Sequence, residues 1–368
     1  MKRKGIITAI SCLVLLTLSI IVFSSRKEAK QEETPSTTKM TTAATTKQAE
    51  TETTTKKEVN HDNDTHSVLT GKWISKDIAK NRLVAVMFNN VAEACPQAGI
   101  SKADIIYEVP IEGFVPRLMG IMQDYKELSQ IGSVRSCRLC FAQFAMEYDA
   151  IYLHYGQSEY ALSTLNSSAI DNLSGLESVG NSVYYRRNDR YAPHNAYATA
   201  AGIAEGAKIK GYSTKIAKDY TKHFKFAADD KEISLTKGTK ATYVAPGFAV
   251  NTPYFEYNKK KGNYTRYQYG GKQIDENNGN VLTCRNIILQ NVNYSYFGNG
   301  YSQNYYLVGS GTGKFITGGK AIDITWQKDS ESGITHYYKS NGKEITLNQG
   351  KTWICIIPSD LTSHVEIS

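Results

Sequence analysis

Arginine and cysteine alternate in the short segment IGSVRSCRLC, which offers three kinds of chemistry. Arg135 and Arg138 are three positions apart, and Cys137 and Cys140 form a C-x-x-C pair. Ser136 is a typical helix N-cap, so both guanidinium groups would stand beside the free backbone N–H groups of a helix start. Such a start is a suitable place for an anion. The segment therefore predicts an anion site.

The two arginines need a negative partner in either of two interpretations. A helix start favours acidic side chains, so cations there are unfavourable unless something compensates them. The compensating group is an external anion in the first interpretation. In the second, acids of the chain form an internal salt-bridge network with no ligand. The candidate acids are Glu108, Glu112 and Asp149.

The cysteines give weaker indications than the arginines. A redox C-x-x-C requires its first thiol at a helix start, where the thiol pKa is lowered, and Cys137 is close to such a place. A zinc site would need a second C-x-x-C or H-x-x-H pair, which the chain lacks. We therefore expect no metal and no cofactor. An odd number of cysteines follows the apolar N-terminal run, which is not a disulfide framework.

Two histidines are candidates for acid–base work or metal binding. In RRNDRYAPHNAY, Asn195 is predicted to cap the following helix, which places His194 at its start with Arg190 nearby. His154 ends a predicted strand, so the fold could bring both imidazoles together. With Glu108 and Glu112 they would form a set of acids and bases. The alternative is that both histidines are hydrogen-bonded structural residues.

The elements that must position these residues differ between the two halves of the body. Short apolar runs bounded by turn residues predict strands at 82–90, 103–112, 117–124 and 149–156. Asn90 ends the first of them, where it could orient a ligand or form an ordinary turn. Helical spacing predicts helices over 136–148 and 195–209. Downstream of about residue 230 we predict only strands, in the segments KATYVAP, PYFEYN, NYTRYQYG, VLTCRNIILQ, KAIDITWQK and KTWICIIP.

Two motifs of the second half have a structural and a functional interpretation. The alternating tyrosines of NYTRYQYG and the aromatic residues of NYSYFGNGYSQNYY could stack on sugar rings, although strands favour tyrosine in any case. GSGTG, residues 309–313, resembles a phosphate loop, but no Lys-Ser/Thr follows it. We therefore predict a hairpin turn there.

The N-terminal region predicts a membrane anchor and a spacer. Lys2, Arg3 and Lys4 precede an uncharged apolar run of 18 residues, 6–23, which can just cross a bilayer. A cleaved signal peptide is the alternative. We predict a signal anchor over 1–25 and a disordered, threonine-rich stalk over 26–69. Both interpretations place the body outside the cytoplasm, on the cell membrane as a single-pass protein if the anchor is kept.

The charge of the body is mildly basic. Of the net +8, about +6 belongs to residues 67–368. A basic surface domain suits anionic envelope polymers, but many soluble domains carry a similar charge. No basic stripe dense enough for nucleic-acid binding is present, so we expect no nucleic-acid partner.

Several segments together resemble the YerB-like family of bacterial surface lipoproteins. They are RLVAVMFNN and its continuation to Asp124, IGSVRSCRLC, YDAIYLHYGQS, RYAPHNAY, LTCRNIILQ and KTWICIIP. The resemblance covers nearly all of residues 70–360. It implies a membrane-attached, extracytoplasmic protein of Firmicutes type with layered sheets and helices. It implies no particular activity.

The departures from the family pattern bear on the arginine segment. The family tends to have Arg-Ser-Ala-Arg where this chain has Arg135, Ser136, Cys137 and Arg138, so the cysteine is the replaceable part. The chain also lacks the lipoprotein cysteine at the end of the apolar run, which favours a transmembrane anchor. With the resemblance, the expected class is α+β: a layered sheet and helix sandwich over 70–230 and a β-rich domain over 231–368.

Two functional hypotheses follow. In the first, a membrane-anchored protein of the Gram-positive envelope binds an anionic wall polymer or a protein partner. Its ligand-binding residues would be Asn90, Arg117, Arg135, Ser136, Arg138, Arg190 and Asn195. In the second, the protein is a hydrolase or transferase acting on an envelope polymer, with Glu108, Glu112, His154 and His194 as acid, base or metal ligands. That hypothesis requires the four side chains to converge in one cleft.

Overall fold

One large sheet organises the body of the protein. The computed structural model describes residues 60–368, which belong to a single compact unit, Val59–Ser368. The sheet has 11 strands. Ten follow one another in the order Thr239–Lys240, Lys320–Lys328, Gly309–Thr317, Asn286–Val292, Thr352–Pro358, Ile105–Pro110, Pro116–Met122, Val84–Phe88, Ile151–His154 and Asn172–Ser174. His336–Lys339 pairs with Lys320–Lys328 outside this path.

Most of the central strands point the same way. Asn286–Val292, Thr352–Pro358 and Ile105–Pro110 are mutually parallel, and so are Val84–Phe88, Ile151–His154 and Asn172–Ser174. Pro116–Met122 is antiparallel to a strand of each group, so both groups share one direction. Their C-terminal ends meet at one edge of the sheet, here called the carboxyl edge. Their N-terminal ends define the opposite amino edge.

The central strands are apolar because both faces of the sheet are covered. All residues of Val84–Phe88, Pro116–Met122 and Thr352–Pro358 are buried, as expected for continuous apolar runs rather than alternating ones. Helices are few and short: Lys76–Ala79, Leu139–Met146, Leu162–Leu165, Gly180–Val183 and Ala200–Lys210.

A second, six-stranded sheet packs against the large one. It contains Gly271–Lys272, Asn263–Gln268, Tyr254–Asn258, Tyr243–Ala245, Glu366–Ile367 and Thr283–Cys284. Arg266 extends from it between the rings of Phe255 and Trp353 and pairs with Glu108 on the large sheet. The smaller sheets are Asp64–His66 with Trp73–Ser75, Ile131–Gly132 with Tyr184–Arg186 and Ala196–Ala198, and Tyr294–Tyr296 with Gln303–Tyr305.

The coarse fold prediction is confirmed: the chain is a sheet-rich α+β protein whose second half is almost entirely strands. The layered sandwich arrangement and the division into domains at residue 230 stay predictions. Strands from both sides of residue 230 share the large sheet. The predicted anchor, 1–25, and most of the predicted stalk lie outside the described residues. Within residues 60–368, no helix is both long and apolar enough to span a membrane.

The predicted end of the stalk was wrong. The strand Asp64–His66 lies before residue 69 and pairs with Trp73–Ser75. The rings of His61 and His66 lie 4.1 and 4.0 Å from the Trp73 ring, and Leu69 is completely buried. The sequence did not predict this strand because the segment is polar. Its two histidines pack on a single tryptophan, so no apolar pattern marks it.

Both predicted helix caps were also wrong. The first helix begins at Leu139 and has Arg138 at the N-cap position, without a side-chain cap. The Ser136 hydroxyl instead donates to the carbonyl of Tyr155 at 3.2 Å. The later helix begins at Ala200 and is capped by Thr199, because the residues after Asn195 first form the strand Ala196–Ala198.

The predicted hairpin turn at GSGTG is a strand. Residues 309–313 begin the strand Gly309–Thr317. A Cβ atom on Gly311 would lie 2.6 Å from Nε1 of Trp326, and one on Gly313 would lie 2.4 Å from the carbonyl oxygen of Leu289. These glycines allow close approach of neighbouring groups rather than a turn.

A candidate anion-binding site at the carboxyl edge

An extended segment carries the arginines over the carboxyl edge. Backbone hydrogen bonds hold it on both sides: the amide of Arg135 donates to the carbonyl of Met87, and the amide of Tyr155 donates to the carbonyl of Arg135, each at 3.0 Å. The amide of Cys137 donates to the carbonyl of Gly156 at 2.9 Å. The segment therefore bridges the ends of two parallel strands, which is where open α/β sheets bind ligands.

Arg117 enters the same region from the antiparallel strand. Its Nη1 donates to the backbone carbonyl of Ser136 at 2.8 Å, and Arg117 as a whole is 9% exposed. Burial lowers the pKa of Arg117 to about 9, helped by the charges of Arg138 and Arg135. The charges of the other two arginines thus make the protonated form of Arg117 less favourable. No carboxylate of residues 60–368 lies within 4.0 Å of Arg117.

Glu112 supplies the negative charge closest to the arginines. Its Oε1 lies 2.6 Å from Nε of Arg138, and both side chains are mostly buried. Burial raises the pKa of Glu112, but the hydrogen bond and charge of Arg138 outweigh it, so the net pKa is below the usual value. Glu112 is therefore an anion that is already paired.

Arg135 has no carboxylate partner within the described part of the chain. Its Nη1 donates to the carbonyl of Pro193 at 3.2 Å, and its buried Nε makes no hydrogen bond. Burial and the charge of Arg138 lower its pKa. The arginine cluster, defined as Arg117, Arg135 and Arg138, thus holds three positive charges against one carboxylate. The Nη2 atoms of all three make no hydrogen bond within residues 60–368.

Arg190 belongs to a different network. Its Nη2 lies 3.2 Å from Oε1 of Glu276 and 3.1 Å from the carbonyl oxygen of Pro96. Glu276 also pairs with Arg187 at 2.9 Å. Of the residues predicted to bind an anion, Arg190 is therefore paired with the acid Glu276, as Arg138 is with Glu112.

The two predicted asparagines have internal hydrogen-bond partners. Asn195 accepts from Nη1 of Arg186 at 2.7 Å and donates to the carbonyl of Arg187. Asn90 is 1% exposed and accepts from Gln97, while its buried Nδ2 makes no hydrogen bond. Asn195 shapes the loop next to the cluster, and Asn90 keeps one unused donor.

The four acid–base candidates do not converge. Glu108 is completely buried, and its two oxygens lie 2.7 and 2.8 Å from Nη2 of Arg266. Trp353 and Asn251 donate two more hydrogen bonds to it, each at 3.0 Å. Since all its lone pairs face protein donors, Glu108 has no route to a substrate.

The histidines also occupy separate environments. His154 is 1% exposed; its ring nitrogens lie 2.9 Å from the carbonyl oxygen of Gly156 and 3.1 Å from Oδ1 of Asn172. Burial outweighs these bonds and lowers the His154 pKa. His194 accepts from Nδ2 of Asn89 at 2.7 Å, and burial together with Arg135 lowers its pKa. Within residues 60–368, no three His, Cys, Asp or Glu side chains group closely enough to hold a metal ion.

The two thiols of the C-x-x-C are in apolar surroundings. Cys137 and Cys140 are both buried and free. Burial raises the pKa of Cys137 to about 12 and raises that of Cys140 as well. A nucleophilic thiolate needs the opposite shift, so these side chains serve as small core residues beside the arginines.

Aromatic rings border the paired end of the cluster. The hairpin of Tyr294–Tyr296 and Gln303–Tyr305 is joined to the large sheet by the Tyr305 hydroxyl, which donates to the carbonyl of Pro110 at 2.7 Å. Phe114 lies 6.2 Å from the Tyr294 ring, two residues beyond Glu112. Tyr296 and Tyr301 of this hairpin are exposed. The sequence prediction of available tyrosines thus applies to this hairpin, whereas Tyr264 of NYTRYQYG is buried.

Sequence reasoning missed Arg266 as the partner of Glu108. A signal was present, since Arg266 alternates with outward residues along Asn263–Gln268 and so occupies an inward position. It also missed Glu276, which lies in a turn with no recognisable pattern. Neither residue could be assigned without knowing how the second sheet packs.

Two family models match this chain in succession. The model described as "Protein of unknown function (DUF3048) N-terminal domain" matches residues 69–213. The model described as "Protein of unknown function (DUF3048) C-terminal domain" matches residues 243–354. The fold thus belongs to a class of proteins made of these two consecutive modules, which in this chain contribute strands to a common sheet.

The comparisons also give particular relatives. The chain is 30% identical over 291 residues to "Putative lipoprotein YerB" of Bacillus subtilis (strain 168), covering 79% of this chain and 85% of that protein. The crystal structure of the YerB protein from Bacillus subtilis matches with a TM-score of 0.71 at 29% identity, over 83% of this chain and 99% of the other. The chain belongs to the YerB family, which confirms the resemblance.

Proposed function

We propose that this protein is a membrane-attached, extracytoplasmic binding protein of the Gram-positive envelope that holds an anionic group of a wall polymer at the arginine cluster. The observation that carries the proposal is the charge imbalance: Arg117, Arg135 and Arg138 face a single carboxylate, that of Glu112. Burying several cations without compensation is costly, so a bound anion would offset the repulsion between the arginine charges.

The geometry favours an oxyanion with several oxygens. Arginine donors form a planar fork that suits phosphate and carboxylate groups. The free Nη2 donors of the cluster lie at the carboxyl edge, and backbone hydrogen bonds fix the segment that carries two of them. The exposed tyrosines of the neighbouring hairpin would pack against the rest of the polymer, because their rings offer a flat apolar surface to its C–H groups.

Membrane attachment is supported by the sequence and by the relative. The name of the Bacillus subtilis relative describes a lipoprotein. In this chain the corresponding attachment would be the uncharged apolar run at residues 6–23, retained as a single transmembrane segment. The threonine-rich segment would then separate the membrane from the folded body.

The test is the thermal midpoint of the full chain in a neutral detergent, with and without poly(glycerol phosphate). A ligand that binds only the native state raises the midpoint. We expect a rise for the natural chain and roughly a tenfold loss of affinity in Arg135→Gln. The matched control is Arg187→Gln, which removes the same charge from an arginine already paired with acids.

Two results would contradict the proposal. One is an unchanged affinity in Arg135→Gln. The other is an equal loss in both variants, which would mean that only net charge matters.

A further inference from the structure

A groove at the amino edge is lined by none of the residues of the arginine cluster. The cluster lies at the opposite edge of the same sheet. The main cavity of the groove has a volume of about 630 Å³ and lies between the two family modules. Residues of both modules line it, among them four lysines, four asparagines and two threonines. Clefts between structural modules are common ligand sites.

The charge of this cavity is positive only. Four lysines and no acid line it. Lys102 pairs with Asp124 at 2.6 Å, but Lys261, Lys272 and Lys351 form no salt bridge within residues 60–368. Lys261 and Lys272 are exposed at the rim. The charges of Lys261 and Lys272 therefore face the cavity without a paired acid of the described chain, whereas Lys351 has Asp104 and Asp275 nearby.

Lys351 fixes one of these charges at the inner wall. It directly precedes the strand Thr352–Pro358, and its Nζ donates to the carbonyls of Ala103, at 2.8 Å, and Ser101. Both acceptors are neutral, and the nearby charges of Asp104 and Asp275 only partly oppose the effect of burial, which lowers the pKa of Lys351. Unlike the rim lysines, it cannot turn away from the cavity without losing these bonds.

Amide and hydroxyl groups line the rest of the cavity. Asn258, Asn263, Asn278 and Asn280 contribute amides, and Thr265 and Thr283 contribute hydroxyls. The buried Oδ1 of Asn263 makes no hydrogen bond, although buried acceptors are usually paired. An unused acceptor of this kind suits a ligand hydroxyl.

The cavity continues into a second one of about 400 Å³. The two share Lys261, Asn263, Thr283 and Lys351, and the second adds Lys72 and Arg285. Asp229 is its one acidic lining residue, and Arg285 pairs with Glu232 at 2.6 Å. The two cavities are continuous through these shared residues, and together they offer more space than a single small ion needs.

We propose that this groove binds an anionic oligosaccharide, a chain of sugar rings that carry carboxylate or phosphate groups. Lysines are strongly hydrated point charges that accept either group, and the amides and hydroxyls match sugar hydroxyls. The apolar side chains of Ile106 and Val281 give the ring faces a surface to pack against. The inference does not depend on the arginine cluster, which lies at the opposite edge.

The experiment is calorimetric titration of the full chain carrying Arg135→Gln, in neutral detergent, with hexagalacturonate, so that binding at the arginine cluster does not contribute. Maltohexaose provides sugar rings without charge, poly-glutamate provides charge without sugar rings, and poly(glycerol phosphate) provides phosphate without sugar rings. We expect hexagalacturonate to bind at least tenfold more tightly than each of the other three probes to this groove.

The variants assign the binding to the groove. Lys261→Gln with Lys272→Gln should weaken hexagalacturonate binding at least tenfold, and Asn263→Ala about threefold without any change in charge. The matched control is Lys208→Gln with Lys218→Gln, which removes two positive charges from residues that do not line the groove. All of these variants also carry Arg135→Gln, so the result does not depend on binding at the arginine cluster.

Three outcomes would overturn the inference. They are equal binding of maltohexaose, equal binding of poly-glutamate or poly(glycerol phosphate), and equal losses in the groove variant and its matched control.

Discussion

The two edges of the large sheet are both positively charged, but they hold their charge in different ways. At the carboxyl edge, Arg117 is buried, Arg135 and Arg138 are partly buried, and all three donate to backbone carbonyls. At the amino edge, Lys261 and Lys272 are exposed, and their ammonium groups form no hydrogen bond or salt bridge among residues 60–368. The first arrangement is the proposed site for one oxyanion, and the second is the proposed site for a longer chain.

This difference between the two edges indicates how each could select its ligand. A buried arginine fork discriminates by geometry, because its donors cannot move to follow a different ligand. Exposed lysines discriminate mainly by charge, and salt screens them strongly. The same net charge can therefore serve two recognition modes in one fold.

Glu108 and Arg266 form a fully buried ion pair to which we assign a structural role, unlike the charged groups of the two proposed binding sites. Replacing Arg266 with Met should lower the free energy of unfolding by about 3–5 kcal/mol, because Glu108 is left buried and unpaired. Chemical denaturation measures this change. Glu108→Gln combined with Arg266→Met should recover most of the loss. A small effect of Arg266→Met alone would contradict the assignment of this pair to stability.

A pH dependence should appear at the amino edge. Burial raises the pKa of Asp104 to about 6, only partly offset by Lys351. The folded state therefore binds more protons than the unfolded state between about pH 4 and 6, and stability falls as the pH rises through that window. Asp104→Asn should gain about 2 kcal/mol relative to the natural chain between pH 4 and pH 7. Thermal midpoints across this range check it, and a constant difference would be inconsistent with a raised pKa.

The smallest expected effect concerns salt. Raising NaCl from about 0.05 M to 0.5 M shortens the Debye length from roughly 14 Å to 4 Å. Hexagalacturonate binding at the exposed lysines should then weaken by a larger factor than pyrophosphate binding at the arginine cluster. Calorimetric titrations at both salt concentrations make the comparison. Equal weakening would mean that burial does not protect the arginines from screening.

The sequence predicted the strands of the central sheet because their apolar runs are continuous, as in Val84–Phe88 and Thr352–Pro358. It failed at GSGTG, because glycines that permit close approach are indistinguishable from turn glycines until the neighbouring Trp326 is placed. It failed at the caps as well, because Asn195 and Ser136 have hydrogen-bond partners outside the helices.

The candidate site was predictable only in part. The sequence analysis grouped Arg117 with Arg135 and Arg138 as candidate anion-binding residues, and the structure brings the three side chains together. The isolation of Glu108 and His154 could not be foreseen, because it depends on Arg266 and Asn172, which come from other strands. The amino-edge groove is formed by segments more than 150 residues apart, and no local pattern marks it.

The most direct test of the arginine cluster is a crystal structure of the protein with pyrophosphate. The account predicts a bound phosphate group within hydrogen-bond distance of the free Nη2 donors of Arg117, Arg135 and Arg138, with the Glu112 pair intact. An empty cluster in crystals that hold pyrophosphate elsewhere would contradict it. The arginines would then be structural, and their charge imbalance would need another explanation.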